Sequence, residues 1–200
     1  MKRATGNNSP AAPQEMSIRL RSGGHSFPQE LPAGCTEARR VRATVSTHKT
    51  VLVPGEFFRR ESAAGYLALA GLGCDSGQTA VYSDPQRPQV AVMAVDRECH
   101  RRLSDRLGDR LFYTSPLLFE PGFSSGGLWM THVDGVLYVK FYDRVLRLAE
   151  ALRAEGTPDI LYYLGRLNTL FPLRDYPLAL SGSKTLARQL KTYFRDVRCE

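Results

Sequence analysis

The fold is decided by the stretch LWMTHVDGVLYVKFY, residues 128–142. The runs on either side of Asp134-Gly135 predict two strands. Asp-Gly suits a two-residue hairpin turn, because both central residues take positive φ values there. A third strand is predicted over residues 145–152, so the stretch predicts a sheet that begins as a meander of hairpins.

The segment after this meander predicts a helix that lies on the sheet. Thr157 is placed to cap the helix, and Pro158 suits the first helical position. A short buried strand is predicted over residues 178–180, and Ser181-Gly182 ends it. A final helix and a short last strand are expected to complete this part of the chain.

The first half of the chain shows the same order of elements. Strands are predicted over residues 16–21, 41–46, 50–53, 79–82, 89–95 and 111–114, and a helix over residues 56–70. Asp96 and Ser183 are predicted to cap two further helices, one in each half. Each half therefore offers strands, a helix, a buried strand and another helix, which predicts two α/β lobes with mixed sheets.

The lobe boundaries are predicted from composition. Residues 1–15 are rich in Asn, Ser, Pro, Gly and Ala, which is typical of a disordered tail. Glycine and serine between Pro121 and Gly127 predict a flexible connection. We therefore expect a first lobe over residues 16–121 and a second lobe over residues 127–200.

The charge pattern does not favour nucleic acid as the partner. The formal net charge is +7, but the excess is spread over both halves and acids are interleaved with the bases. This pattern indicates a mildly basic solvated surface. The aromatic residues between Tyr138 and Tyr193 predict either core packing or, if they are exposed beside Arg or Lys, a platform for single-stranded nucleic acid.

The cysteines point to a reducing compartment and to no metal. Cys35, Cys74, Cys99 and Cys199 are widely spaced and form no C-x-x-C motif. Neither a zinc site nor a thioredoxin-like site is therefore expected. We expect free thiols and a cytoplasmic location. No stretch reaches the roughly 20 apolar residues of a membrane helix, so no membrane span is predicted.

Four short runs resemble a known family in their order and spacing. They are MSIRL at residues 16–20, TVLVPGEFF at residues 50–58, DILYY at residues 159–163 and PLALSG at residues 177–182. Together they resemble an uncharacterised bacterial family, typical of Bacteroidetes, which is a domain of unknown function with an actin-like ATPase fold. The resemblance covers nearly everything from Met16 onward. It implies two ribonuclease-H-like lobes but no activity, since none is established for the family.

The chain also departs from the family pattern in two places. The segment between Phe27 and Val41 is short and irregular where a longer hairpin region is expected. The sequence ends at Glu200, just after the last predicted strand. The closing helix is therefore expected to be missing, and the second lobe to be truncated.

The actin-like resemblance implies where a nucleotide would bind. Such sites use two glycine-bearing hairpin loops, each with a carboxylate that holds magnesium through water. Asp134-Gly135 lies at the corresponding hairpin of the second lobe, although it is a tight turn between strands. The first-lobe turn, residues 21–25, contains glycines but no acid. Ser181-Gly182 resembles the turn that holds adenosine, and it is also an ordinary start of a helix.

These observations leave Asp134, Gly135, Ser181 and Gly182 as the candidate nucleotide ligands. We expect no cofactor, with ATP and magnesium as the alternative. No catalytic residue is assigned. A ribonuclease-H-type nuclease would need several converging carboxylates, and Asp134 and Asp159 are the only acids near suitable positions in the second lobe. A Ser-His-Asp site has no support in the sequence, because no G-x-S-x-G motif is present.

The leading hypothesis is a non-catalytic protein of actin-like fold that acts through contacts with another protein. Edge strands and one basic helix face are the candidate contact surfaces. That face carries Arg97, Arg101, Arg102 and Arg106. The alternatives are a degenerate nucleotide binder or weak ATPase, and a nucleic-acid binder that uses the net positive charge.

Overall fold

The computed structural model describes residues 14–21, 34–123, 125–194 and 196–199. The strands of the first half are β1 (Glu15–Arg21), β2 (Arg40–Ser46), β3 (Thr50–Pro54), β4 (Gln78–Tyr82), β5 (Gln89–Asp96) and β6 (Leu111–Thr114). Its helices are α1 (Ala63–Leu69) and α2 (Arg97–Leu107). These strands lie where the sequence predicts them. The predicted tail and the turn predicted over residues 21–25 lie largely outside the described residues.

The second half forms one five-stranded sheet with two helices. Its elements are β7 (Gly126–Val133), β8 (Val136–Asp143), β9 (Val145–Arg153), α3 (Thr157–Asn168), β10 (Leu178–Ser181), α4 (Lys184–Leu190) and β11 (Val197–Cys199). The strand order is β11-β10-β7-β8-β9. β7, β8 and β9 are antiparallel, and β10 and β11 are added in parallel beside β7. The sheet of this half is therefore mixed, as the sequence predicts.

The first half separates its parallel and antiparallel strands into two sheets. One has the order β1-β2-β6 and is parallel throughout, whereas the other has the order β3-β5-β4 and is antiparallel throughout. α2 connects β5 to β6, and Cys99, Leu103 and Leu107 on one side of it are buried. The parallel sheet and α2 share one apolar core with the inner side chains of β5.

The helix predicted over residues 56–70 is wrong in its first part. Residues 55–57 and 60–62 form single 3-10 turns, and the α-helix begins only at Ala63. The Tyr66 hydroxyl donates a hydrogen bond to the carbonyl of Phe57 and accepts one from the amide of Arg59. These bonds hold the extended backbone of residues 58–59, which interrupts the helix.

The predicted helix caps are confirmed at two of three positions. Asp96 accepts a hydrogen bond from the amide of Cys99, and Ser183 accepts one from the amide of Leu186. The prediction that Thr157 caps α3 is wrong, because Gly156 is the N-cap residue and makes no side-chain bond. Asp159 instead accepts a hydrogen bond from the amide of Glu155 at 2.7 Å and so stabilises the start of the helix.

The five-stranded sheet is covered on both faces. One face packs against α3 and α4 through a core that includes Leu128, Phe141 and Ile160. The other face carries Trp129 and Tyr138, and it packs against Leu117 and against Leu52 of β3. The second face is therefore the seam between the two halves.

Not all the aromatic residues of the second half lie in the core. Tyr138 and Phe141 are buried, whereas the side chains of Tyr162 and Tyr193 are exposed. Across the part of the chain that the structure describes, no helix has the length and apolar character needed to cross a membrane.

Candidate functional site

A cleft of about 660 Å³ lies between the two halves. The first half contributes the ends of β1, β2 and β5 and the segment at His48-Lys49. The second half contributes the turn between β7 and β8 together with Arg153 and Glu155. Because the carboxyl ends of parallel strands are the usual place for ligands in α/β folds, this cleft is the candidate functional site.

The turn between β7 and β8 has the predicted geometry. Asp134 and Gly135 have φ values of 54° and 74°, as a hairpin turn of this kind requires. The carbonyl of Gly135 accepts a hydrogen bond from the amide of Ala154 at 2.9 Å. His132 Nε2 lies 2.8 Å from the carbonyl oxygen of the same Ala154. The turn is thus closed against the end of β9 and does not extend into an open loop.

The carboxylate of Asp134 is paired across the cleft. Its side chain is only 7% exposed, and Oδ1 lies 2.7 Å from Nε of Arg21 at the end of β1. Oδ2 is buried and has no hydrogen-bond partner among the described residues. The guanidinium of Arg21 therefore provides the positive charge that a magnesium ion would provide in a nucleotide site.

The other cations of the cleft are paired in the same way. Lys49 Nζ donates to the carbonyl of Gly73 and to Oε1 of Gln78, and it lies 2.9 Å from Oδ1 of Asp75. These three acceptors match the three donors of an ammonium group. At the opposite wall, Arg153 Nε lies 3.1 Å from Oε1 of Glu155.

The remaining cleft groups offer little to an anion. Burial, followed by the charge of Lys49, lowers the pKa of His48, which favours the neutral form of this ring. The amino end of α2 lies at the cleft, but Asp96 occupies it as the N-cap. The amide of Arg97 donates to the carbonyl of Gly77 at 2.9 Å. A phosphate group would have to displace these contacts.

Ser181 and Gly182 do not line this cleft. Ser181 Oγ accepts a hydrogen bond from the indole of Trp129 at 2.9 Å, and the Ser181 carbonyl accepts one from Thr131 Oγ1 at 2.9 Å. Gly182 has a φ of 109° and lets the chain turn from β10 into α4. The predicted ligands thus fall into two groups, and only Asp134 and Gly135 lie at the cleft.

The arginine face of α2 is largely ion-paired. Arg101 lies 2.7 Å from Glu98 and 3.7 Å from Asp105, and Arg102 lies 3.9 Å from Glu98. Arg97 donates to the carbonyl of Gln78 at 3.0 Å. Arg106 is exposed on the same helix. The acids within the helix therefore offset much of the positive charge that the sequence places there.

Two buried polar groups of β8 connect the halves and were missed by sequence reasoning. The Tyr138 hydroxyl accepts a hydrogen bond from the amide of Thr47 at 2.8 Å and donates one to its carbonyl at 3.3 Å. Lys140 is fully buried, and its ammonium donates to the carbonyl of Phe119 at 3.0 Å. A lysine within an otherwise apolar strand is the sequence signal for such a contact.

The described residues include no group of three or more His, Cys, Asp or Glu side chains arranged to hold a metal ion. Asp134 Oδ2 could accept a contact from a cation, but the paired bases around it do not suit a polyphosphate. The donor set at this cleft therefore does not fit magnesium-bound ATP.

The fold is that of the actin-like ATPases, with two α/β lobes on either side of a cleft. A protein of unknown function from Bacteroides thetaiotaomicron, described as having an actin-like ATPase fold, matches with a TM-score of 0.73. The match covers 98% of this chain and 94% of that one at 15% sequence identity. At such identity the likeness shows the fold alone.

A second solved structure is more distant. The cytoplasmic domain of EpsL, an inner membrane component of the type II secretion system of Vibrio cholerae, matches with a TM-score of 0.43 and 16% identity. It covers 93% of this chain and 89% of that one. No protein-family model and no curated protein matches the chain. Membership in the Bacteroidetes-type family therefore stays a prediction.

Proposed function

We propose that this chain is a non-catalytic protein of actin-like fold that acts through contacts with another protein in the cytoplasm. The observation that carries the proposal is the ion pair between Arg21 and Asp134. In an actin-like ATPase site, a carboxylate at this hairpin would hold magnesium through water. Here the carboxylate is buried and neutralised by a side chain of the opposite lobe.

The charge balance of the cleft supports the same proposal. Its lining contains three cations, Arg21, Lys49 and Arg153, and four acids, Asp75, Asp96, Asp134 and Glu155. A polyphosphate would enter a region with no excess of positive charge, where each of the three bases already contacts an acid. Electrostatic attraction for a nucleotide is therefore weak at this cleft.

A thermal-shift titration with Mg-ATP and Mg-ADP tests this proposal. A ligand present at 100 times its dissociation constant adds about 2.7 kcal/mol of apparent stability. We expect no shift at millimolar nucleotide, for the wild-type chain and for an Asp134→Ala variant alike. A clear shift of the wild type that the variant loses would overturn the proposal.

A degenerate nucleotide binder or weak ATPase is the second candidate. The size of the cleft and its position between the lobes favour this candidate, and Asp134 and Gly135 line the cleft. The Oδ2 atom of Asp134, which has no hydrogen-bond partner among the described residues, favours it as well. This candidate predicts the nucleotide-dependent shift just described. It also predicts that Arg21→Ala strengthens binding of magnesium, because the variant frees the carboxylate.

The arginine face of α2 is one surface through which we propose that the chain contacts a partner protein. Reversing the charge of Arg101 and Arg102 together is expected to abolish recovery of a protein partner in a pull-down. Unchanged recovery would exclude this face. Nucleic-acid binding instead predicts a steep loss of affinity with salt, and a flat response would exclude that function.

A further inference from the structure

The parallel sheet β1-β2-β6 of the first half has one face that is open to solvent. Side chains along β1 and β2 alternate between the apolar core and solvent. Cys35 and Ala38, in the connection between these two strands, are buried in the core on one side of the sheet, together with the apolar side of α2. The other side is therefore formed by the outward side chains of the three strands.

Arginines are concentrated on this open face. Strand register places Arg42 of β2 directly beside Ser17 of β1 and Phe112 of β6. Arg40 precedes Arg42 by two residues on the same strand, so its side chain is on the same face. Arg19 follows Ser17 in the same way on β1. All three arginines are exposed, and the pairing of β1 with β2 brings them together although they are distant in sequence.

The positive charge of the open face is only partly offset by acids. Nη2 of Arg42 lies 2.7 Å from Oε1 of Glu15, and both side chains remain partly exposed. Among the described residues, no acid lies within ion-pair distance of Arg19 or Arg40. This face differs from α2, where acids of the same helix pair with the arginines. It therefore attracts an anionic partner.

An aromatic ring among these arginines indicates what kind of anion binds. Phe112 is 37% exposed, and the guanidinium carbon of Arg40 lies 4.1 Å from the centroid of its ring. Aromatic rings and guanidinium groups stack on nucleobases, while arginines beside them neutralise phosphates. An acidic peptide would pair with the guanidiniums but would leave the ring unused. The combination favours nucleic acid over an acidic protein segment.

We propose that the open face of the β1-β2-β6 sheet binds single-stranded nucleic acid. A base stacks on Phe112 and Arg40, and Arg19 and Arg42 contact the phosphates on either side. The strand is single because the bases of a duplex are stacked on one another and cannot lie against a ring. The inference goes beyond the proposed function and does not depend on it, since α2 packs on the opposite side of this sheet.

Fluorescence anisotropy of the full chain with a labelled twelve-nucleotide oligothymidylate tests this proposal. If three phosphates are neutralised, affinity should fall about twentyfold between 50 and 200 mM salt, because each contact adds about 0.7 to the slope of log affinity against log salt. Phe112→Leu is expected to weaken binding by about fivefold or more, and so is an oligomer of equal length without bases. Tyr162→Leu removes an exposed ring elsewhere and should leave affinity within about twofold.

The contribution of charge has a matched control. The double variants Arg19→Ser/Arg40→Ser and Lys184→Ser/Arg188→Ser remove the same net charge, the second from the exposed side of α4. We expect the first to weaken binding at least about tenfold at 50 mM salt and to reduce the salt dependence, whereas the second should leave affinity within about twofold. Thermal unfolding of each variant shows whether it is folded.

Three results would overturn the inference. The first is no binding of oligothymidylate at 50 mM salt, or binding that does not respond to salt. The second is an equal loss of affinity in the two double variants, because net charge alone would then hold the strand. The third is a twelve-residue peptide of glutamate that binds more tightly than oligothymidylate and is equally insensitive to Phe112→Leu, because the face would then suit an acidic segment of a protein.

Discussion

Asp134 and Lys140 are two buried charges on the same hairpin, but their surroundings differ. Asp134 lies 2.7 Å from the guanidinium of Arg21. Lys140 is fully buried and is held by the carbonyl of Phe119, with no acid in ion-pair contact among the described residues. Burial therefore lowers the pKa of Lys140 to about 8, although the charge of Glu120 opposes this shift.

The difference shows that one hairpin can carry one buried charge that stabilises the contact between the two lobes and another that destabilises it. A buried charge that has an opposite charge beside it can hold two elements together. Lys140 has only the carbonyl of Phe119 and the ring of Tyr142, 5.4 Å from its ammonium, and without an opposite charge its burial lowers the stability of the folded state. Both groups face segments outside their own sheet, β1 in one case and the connection at Phe119 in the other. The hairpin is therefore the structural link between the halves, and its polar contacts can be removed separately.

The largest effect is expected from Lys140→Met. The pKa is lower in the folded chain than in the unfolded chain, so the charged lysine lowers stability below pH 8, and this penalty disappears as the pH rises toward 10.5. We therefore expect the stability of the variant relative to the wild type to be about 2 kcal/mol higher at pH 7.5 than at pH 9.5. Urea unfolding at both pH values measures the difference in stability between the variant and the wild type.

The comparison between variant and wild type is needed because other groups titrate in this range. Burial raises the pKa of the Cys99 thiol to about 11, so its ionisation in the unfolded chain lowers stability in both proteins as the pH rises. Lys184→Met, at an exposed position, serves as the control and is expected to change stability by less than about 0.5 kcal/mol. A difference that does not depend on pH would show that the pKa of Lys140 is the same in the folded and unfolded chains.

Arg21→Ala is expected to have the next largest effect. It leaves the buried carboxylate of Asp134 without its cation and should reduce the free energy of unfolding by about 2 kcal/mol. The Arg21 side chain is 54% exposed, so solvent screening keeps the loss below that of a fully buried pair. Equilibrium unfolding at low and high salt should show the difference shrinking as salt is added.

The double variant Arg21→Ala/Asp134→Asn sharpens this test. Asn-Gly suits the same hairpin turn, and the amide removes the unpaired charge. The double variant should therefore be more stable than Arg21→Ala alone. If it is less stable, the carboxylate has a role that does not depend on Arg21.

Tyr138→Phe removes the hydroxyl of the β8 residue that lies between Asp134 and Lys140 in the sequence. The amide of Thr47 then loses its buried acceptor, and we expect a loss of about 1.5 kcal/mol. Tyr163→Phe is the matched control, since the Tyr163 hydroxyl makes no hydrogen bond within the described part of the chain. Equal stability of the two variants would mean that the contact between Tyr138 and Thr47 does not hold the halves together.

The sequence predicts the second half better than the first for a physical reason. The meander and the Asp134-Gly135 turn depend on local chemistry, namely apolar runs and the tolerance of positive φ. The division of the first half into two sheets depends on long-range pairing, such as β2 with β6, which no local pattern encodes. The break in the helix over residues 56–70 likewise depends on a single hydroxyl, that of Tyr66, folding back onto its own chain.

The candidate site shows the same limit. Sequence reasoning placed Asp134 and Gly135 at the right hairpin, but it could not show that Arg21, more than 100 residues earlier, reaches the carboxylate. Nor could it show that Ser181 is engaged by Trp129 and lies outside the lining of the cleft. Charge pairing between distant strands decides whether a hairpin acid is free, and that pairing is visible only in three dimensions.

Ser181→Ala is expected to have the smallest effect, and it separates a structural serine from a ligand. The Trp129 indole loses its acceptor at 2.9 Å, so stability should fall by about 1 kcal/mol. Trp129 is the single tryptophan of the chain, and its fluorescence emission should therefore shift in the folded variant. If Ser181 held a nucleotide, adding Mg-ATP to the wild type would change the same emission and Ser181→Ala would abolish that change. We expect the emission of the wild type to be unaffected by nucleotide, because the serine hydroxyl is already engaged by the indole at the seam between the lobes.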